Sequence, residues 1–142
     1  MTFTRLIAAS LAACLIAGAA QAASLRVSPI TLDLKMGASA STVRLWNEDR
    51  TATNVQVRVF RWTKVNGKDR LEPTTDVVAS PPITKLAPGS ENVIRVVRVS
   101  KKPVSGTEAY RLLIDELPDA SKRVPGQVKV LVRHSIPVRF TE

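Results

Sequence analysis

The sequence has only one cysteine, Cys14, and one histidine, His134, among its 142 residues. A single cysteine cannot form an intramolecular disulfide or a multi-cysteine zinc site. A single histidine excludes a histidine-rich metal site and leaves no second base for a catalytic triad. A phosphate-binding loop, metal-ligand spacing and a dinucleotide fingerprint are also missing. We therefore expect no metal and no cofactor, and these absences argue against most hydrolytic enzymes.

Two other patterns in the sequence could suggest a catalytic site, but neither does so on closer inspection. Asp115 and Glu116 are adjacent, and adjacent residues of a strand point to opposite faces, so they cannot form an acid–base pair by themselves. His134 shares the apolar parity of the last strand, with no cysteine beside it and no Ser–Asp pair at a suitable spacing. We interpret it as a packed or rim histidine, and we expect no enzyme activity and no small-molecule substrate.

Acidic residues are few relative to basic ones, at 12 against 21, and the net charge is +9. Aromatic residues are also scarce, at 4%. The basic residues are dispersed over all the predicted strands, and no cluster of exposed aromatic residues accompanies them for stacking on bases. We therefore expect no nucleic-acid partner.

The N-terminal segment has the layout of a secretory signal peptide. Residues 1–5 carry one positive charge, Leu6–Ala20 is apolar or small throughout, and Ala20-Gln21-Ala22 gives a small-x-small cleavage pattern. Cleavage after Ala22 would leave residues 23–142, with no cysteine and a net charge of +8. The alternative is a lipoprotein, since Leu11-Ala12-Ala13-Cys14 fits a lipoprotein cleavage box.

Beyond the signal, apolar residues recur mostly at every second position, and turn signals are frequent, whereas no stretch has a helical stripe. The pattern predicts the following strands: Leu25–Leu34, Thr42–Trp46, Asn54–Thr63, Asn92–Val99, Glu108–Leu117 and Gln127–Phe140. About seven short strands in a domain of this length are typical of an all-β, immunoglobulin-like sandwich with Greek-key connections. Asn66-Gly67 is interpreted as a hairpin turn.

The first strand changes its apolar parity at Pro29. Apolar residues fall on odd positions up to Val27 and on even positions from Ile30 onward. Proline within a strand marks a bulge or an edge. The strand therefore either passes from one sheet to the other at Pro29 or is a frayed edge strand, and the sequence leaves both open.

The last strand, Gln127–Phe140, is long compared with the usual strand of about 5–6 residues. Its even positions are apolar from Val128 onward apart from His134. We expect it to extend beyond its own sheet and to leave a row of apolar side chains available to a partner.

Several motifs occur in order along residues 24–140: Val78–Ile83, Leu86–Gly89, Val93–Arg98 and Tyr110–Pro118. Together they resemble the periplasmic pilus-assembly chaperones of the chaperone–usher pathway. The additional motifs Phe60-Arg61-Trp62 and Arg70–Thr74 are most similar to the group that assembles archaic, spore-coat-U-like pili.

The resemblance implies a periplasmic chaperone that lends its last strand to an incomplete pilus or fimbrial subunit and delivers it to an outer-membrane usher. A lent strand supplies backbone hydrogen bonds along the subunit's edge, and its alternate side chains fill the groove. By motif position the lent residues are Val128, Val130 and Val132. The alternative is that these valines belong to the core of the domain.

The resemblance also implies an anchor for the C-terminal carboxylate of the subunit. The best-known members use an Arg on the first strand and a Lys on the last, but those motif positions are Thr31 and Pro137 here. Arg111 is the nearest basic replacement, since a guanidinium suits bidentate carboxylate binding. Arg133 is a second candidate. Either could instead be a solvated charge on the sheet face.

Three further points stay open. The family has two immunoglobulin-like domains, and this sequence ends at Glu142, where the second would begin. Either it is a divergent or degenerate single-domain member, or the gene sequence is incomplete. A pilin-like or adhesin subunit is the alternative function, although such subunits often have a disulfide. Without a subunit, an exposed apolar strand also favours a self-capping dimer.

Overall fold

Alternating apolar residues pair into two β-sheets in the computed structural model, which describes residues 24–35 and 37–142. The first sheet has the order β1 (Leu25–Ser28), β3 (Ala40–Asn47), β8 (Glu91–Arg98), β6 (Val77–Ser80). The second has the order β2 (Leu32–Leu34), β10 (Arg133–Thr141), β9 (Thr107–Leu117), β4 (Thr53–Val65), β5 (Lys68–Pro73), and β7 (Ile83–Leu86) also pairs with β4. A 3₁₀ turn, Ala120–Lys122, follows β9. The expected signal peptide and Cys14 lie outside the described residues.

The core lies between the apolar faces of the two sheets. Tyr110 of β9 and Phe140 of β10 are fully buried there and meet edge to face, with ring centroids 5.9 Å apart. The other large, fully buried side chains come from both sheets: Leu25, Leu45, Leu86, Ile94, Leu112 and Ile114. This arrangement confirms the expected all-β sandwich. No helix in the described part of the chain is long and apolar enough to cross a membrane.

The chain changes sheets at Pro29. β1 pairs antiparallel with β3 of the first sheet, whereas β2 pairs parallel with β10 of the second. The parity change in the sequence therefore marks a passage between sheets, and the frayed-edge alternative is wrong. A second passage lies at Ser80-Pro81-Pro82, which separates β6 of the first sheet from β7 beside β4.

The described residues form ten strands, whereas the sequence located six of the about seven that it predicted. Part of the difference is the division of the first predicted strand into β1 and β2. The rest comes from β5, β6 and β7. β5 has no buried residue, and β6 and β7 have four residues each with only one of them buried, so none of the three shows a long run of alternation. The Asn66-Gly67 turn does join β4 to β5, with positive φ angles of 53° and 75° as a tight hairpin turn requires.

The last strand is shorter at its start than the sequence predicts. The pattern indicates a strand from Gln127, but β10 begins at Arg133. Its neighbour β9 ends at Leu117, and the next residue is Pro118, which has no N–H to donate to a continued ladder. Residues 127–130 therefore have no strand beside them in their own sheet, and residues 127–132 are termed the exposed segment below.

A polar network joins the two sheets at the end of the sandwich where β9 begins. The Arg98 guanidinium of β8 makes two hydrogen bonds to Glu108 of β9, at 2.9 and 3.0 Å. The Tyr110 hydroxyl donates to Glu108 at 3.0 Å, and Arg61 of β4 donates to that hydroxyl and to Asp76. The hydrogen bond from Arg98 holds the pKa of Glu108 below its usual value, while burial and the bond to Glu108 raise the pKa of Tyr110 to about 12.

Replacing Glu108 by Gln should lower the free energy of unfolding by about 2 kcal/mol at pH 7, because Arg98 loses its charged partner. The pKa of Glu108 is lower in the folded chain, so its contribution is present above the ordinary pKa of 4.5 and is lost as the pH falls further. Urea unfolding from pH 7 to about pH 3 tests this. The difference in unfolding free energy between wild type and Glu108→Gln should disappear in acid. A difference that does not depend on pH would contradict the role of the Glu108 charge. The exposed Glu48→Gln is the control.

Candidate functional site

The exposed segment carries the three valines that the sequence singles out. Val128 is 93% and Val130 is 79% exposed, and Val132 is half-buried. The same even parity continues into β10, where Ile136 and Val138 are buried in the core. The alternative that Val128 and Val130 are core residues is therefore wrong, since one apolar face runs from the core out into solvent. The role of the three valines in binding a partner stays a prediction.

The backbone of the exposed segment is largely free. Gln127 N donates to Val124 O at 3.2 Å, and Val132 O accepts from Glu116 N at 3.0 Å. Between these two bonds, residues 128–131 make no backbone–backbone hydrogen bond within the described chain. Unpaired strand backbone beside exposed apolar side chains readily pairs with the edge of another sheet.

Asp115 faces the outer side of the second sheet and binds two arginines there. Its carboxylate accepts from Arg58 at 2.6 Å and from Arg133, the first residue of β10. Burial by itself raises the pKa of Asp115, but the hydrogen bonds from Arg133 and Arg58 outweigh it and keep this pKa below the usual value. Arg133, one of the two candidate anchors, is thus already bound to a carboxylate of its own chain, which it shares with Arg58.

Glu116 faces the opposite side, as the alternation of a strand requires, and it is 5% exposed. Its carboxylate accepts from the Thr53 hydroxyl at 3.0 Å and from the Val132 amide at 3.4 Å, and it lies 3.8 Å from the Lys129 ammonium. Asp115 and Glu116 therefore have separate partners. This role of Glu116 could not be predicted from the sequence, because one of its partners, Thr53, is distant along the chain.

His134 lies at the rim of the core rather than in a polar cleft. Its Nε2 donates to the carbonyl of Leu25 at 3.0 Å, so it links β10 of one sheet to β1 of the other. This agrees with its interpretation as a packed or rim residue.

Arg111, the other candidate anchor, lies on the outer face of the second sheet beside Pro137. It is the cross-strand partner of Pro137 and of Phe60. Its guanidinium lies 4.0 Å from the centre of the Trp62 ring, and no ion pair of Arg111 occurs among the described residues. Stacking on Trp62 orients the guanidinium without neutralising it. In the sequence, only the Phe60-Arg61-Trp62 motif draws attention to Trp62, and the motif does not indicate this contact.

Residues 24–141 match the family described as pili and flagellar-assembly chaperones, PapD N-terminal domain. The chain belongs to this family. The match confirms the resemblance drawn from the motifs, and it is to assembly chaperones rather than to pilin subunits. No curated protein sequence matches the chain.

Solved structures of chaperones share the fold. The CsuC–CsuE chaperone–tip adhesion subunit pre-assembly complex from archaic Csu pili of Acinetobacter baumannii matches with 29% identity and a TM-score of 0.72, over 84% of this chain and 52% of that one. The class 5 fimbriae chaperone CfaA matches with 18% identity and a TM-score of 0.68, over 81% and 55%. The Salmonella enterica SafA pilin–SafB chaperone complex matches with 16% identity and a TM-score of 0.66, over 87% and 56%. The chain thus spans about half the length of the structures it matches.

The exposed segment should exchange its amide hydrogens rapidly in the free protein. Hydrogen exchange followed by NMR should show almost no protection at residues 128–131, because their amides have no backbone acceptor. Ile136 and Val138, inside the β9–β10 ladder, should exchange only through global unfolding. Slow exchange at Val130 in the monomer would contradict the unpaired state of the segment.

Proposed function

We propose that this chain is a periplasmic, non-catalytic chaperone that stabilises pilus or fimbrial subunits by donor-strand complementation and hands them to an outer-membrane usher. The observation that carries the proposal is the exposure of Val128 and Val130 on a backbone with no partner in its own sheet. A subunit that lacks its last strand has an apolar groove and an unpaired edge, and residues 128–132 supply what both need.

The energetics favour a strand over a charged surface as the main binding element. Burying each exposed valine contributes about 1.5–3 kcal/mol, whereas an exposed ion pair contributes about 0–1 kcal/mol. The net charge of +8 that remains after signal cleavage then serves mainly to speed the encounter with an acidic subunit, an effect that weakens as salt is added.

Two of the similar structures support the choice of partner. CsuC is seen with the tip subunit CsuE, and SafB with the SafA pilin. We extend this type of partner to the present chain. No ATP, metal or cofactor is needed for strand pairing, and in the absence of a subunit the same segment would pair with a second copy of the chain as a self-capping dimer.

For the subunit carboxylate, we favour Arg111 over Arg133. Arg111 has no ion-pair partner among the described residues and lies in the same cross-strand row as Pro137. Arg133 would have to leave Asp115 before it could bind a second carboxylate.

Replacing Val130 by Asp should abolish subunit capture while the domain stays folded, because a charge cannot enter an apolar groove and the side chain is already solvated in the free protein. The chain is co-expressed with the structural subunit encoded beside its gene, and the periplasmic complex is pulled down. Val65→Asp is the matched control, since Val65 is 45% exposed and lies on β4 at the end of the sandwich away from the exposed segment. Normal capture by Val130→Asp would rule out the donor role.

Replacing Arg111 by Gln should weaken binding of the same subunit roughly tenfold or more, the value of a hydrogen bond to a charged group. The loss should disappear when the subunit carries a C-terminal extension that moves its carboxylate away. Titration of both subunit forms with Arg111→Gln and Arg133→Gln separates the candidates. If Arg133→Gln alone shows the extension-dependent loss, Arg133 is the anchor.

A further inference from the structure

Glu116 makes contacts with the exposed segment that a straight donor strand could not make. Continuing the β9–β10 register places Val132 opposite Glu116, and both side chains then face inward. A residue pair of this kind in an antiparallel ladder exchanges two backbone hydrogen bonds. Here only Glu116 N to Val132 O is formed, and the Val132 amide donates instead to the Glu116 carboxylate at 3.4 Å.

The contact with Lys129 is incompatible with a straight segment. In a regular extension of β10, Lys129 would face outward with the other odd positions, three residues or about 10 Å beyond Val132. Glu116 faces inward, and its side chain is only 2% exposed. The 3.8 Å separation between the Lys129 ammonium and Glu116 therefore requires the exposed segment to bend across the end of the sandwich.

We propose that Glu116 is a latch for the exposed segment. Its carboxylate ends the β9–β10 ladder by taking the Val132 amide, and it holds the segment bent through Lys129. Lys129 must release Glu116 before residues 128–132 straighten into a subunit groove. Glu116 is thus a positioning residue, and the part of this inference that concerns capture rests on the proposed donor-strand function.

The test uses two substitutions with opposite effects on charge and the same effect on the latch. Glu116→Gln raises the net charge by one, and Lys129→Gln lowers it by one. The subunit encoded beside this gene is diluted out of urea into a solution of the chain, and the rate of capture is measured. Both variants should capture it about two- to fivefold faster than wild type, which corresponds to the loss of one partly exposed ion pair. The double variant should be no faster than the faster single variant, because the contact can be lost only once.

Electrostatic steering alone would move the two rates in opposite directions, and that result would overturn the latch. Lys68→Gln, on the exposed strand β5, removes the same charge as Lys129→Gln without touching Glu116 and should not speed capture. If Glu116→Gln proves unstable, Lys129→Gln still tests the proposal, since Lys129 is half exposed.

A measurement without any subunit separates this inference from the donor-strand function. Backbone NMR order parameters of residues 128–131 should fall in both Glu116→Gln and Lys129→Gln and should stay unchanged in Lys68→Gln. Unchanged order parameters in both latch variants would overturn the latch even if Val130→Asp abolishes capture. Lower order parameters together with normal capture by Val130→Asp would keep the latch and reject the donor role.

Discussion

The pairing of β9 with β10 stops at Val132, and the rest of the molecule depends on that stop. On one side of it, the even face of β10 is buried between two sheets; on the other, the same face is in solvent. The stop has two physical causes, the missing N–H of Pro118 and the Glu116 carboxylate that accepts the Val132 amide. A core strand and a strand available to a partner are therefore two parts of one continuous segment.

A domain that exposes apolar strand residues has to obtain its stability elsewhere. The network of Arg98, Glu108 and Tyr110 lies at the end of the sandwich where β9 begins, whereas the exposed segment lies at the other end, beyond the last buried residues of the inter-sheet core. Because Val128 and Val130 add little to the folded core, these two positions can be adapted to a binding partner without loss of folding stability. Membership in the chaperone family agrees with this separation between a stable sandwich and a strand kept free.

Much of the fold could be predicted because half-buried strands have a two-residue period. Alternation identified β3, β4, β8, β9 and the core part of β10, and the parity change at Pro29 identified the passage between sheets. The short strands β5, β6 and β7 escaped prediction, because β5 has no buried residue and β6 and β7 bury only one each, Val77 and Leu86, which is too few to show a period. The role of the candidate site residues stays a prediction, and their ion pairs could not be predicted, because the partners are distant along the chain.

The sequence by itself determined which residues of the last strand share an apolar face, because that depends only on alternation along one chain. Only the tertiary structure decided where this face leaves the core, since Glu116 and Pro118, on another part of the chain, end the pairing of β9 with β10. The same holds for the two arginines: both look alike in the sequence, but β9 places Asp115 against Arg133 and β4 places Trp62 against Arg111. Which charge remains free is a matter of cross-strand neighbours, and these exist only once the sheet has formed.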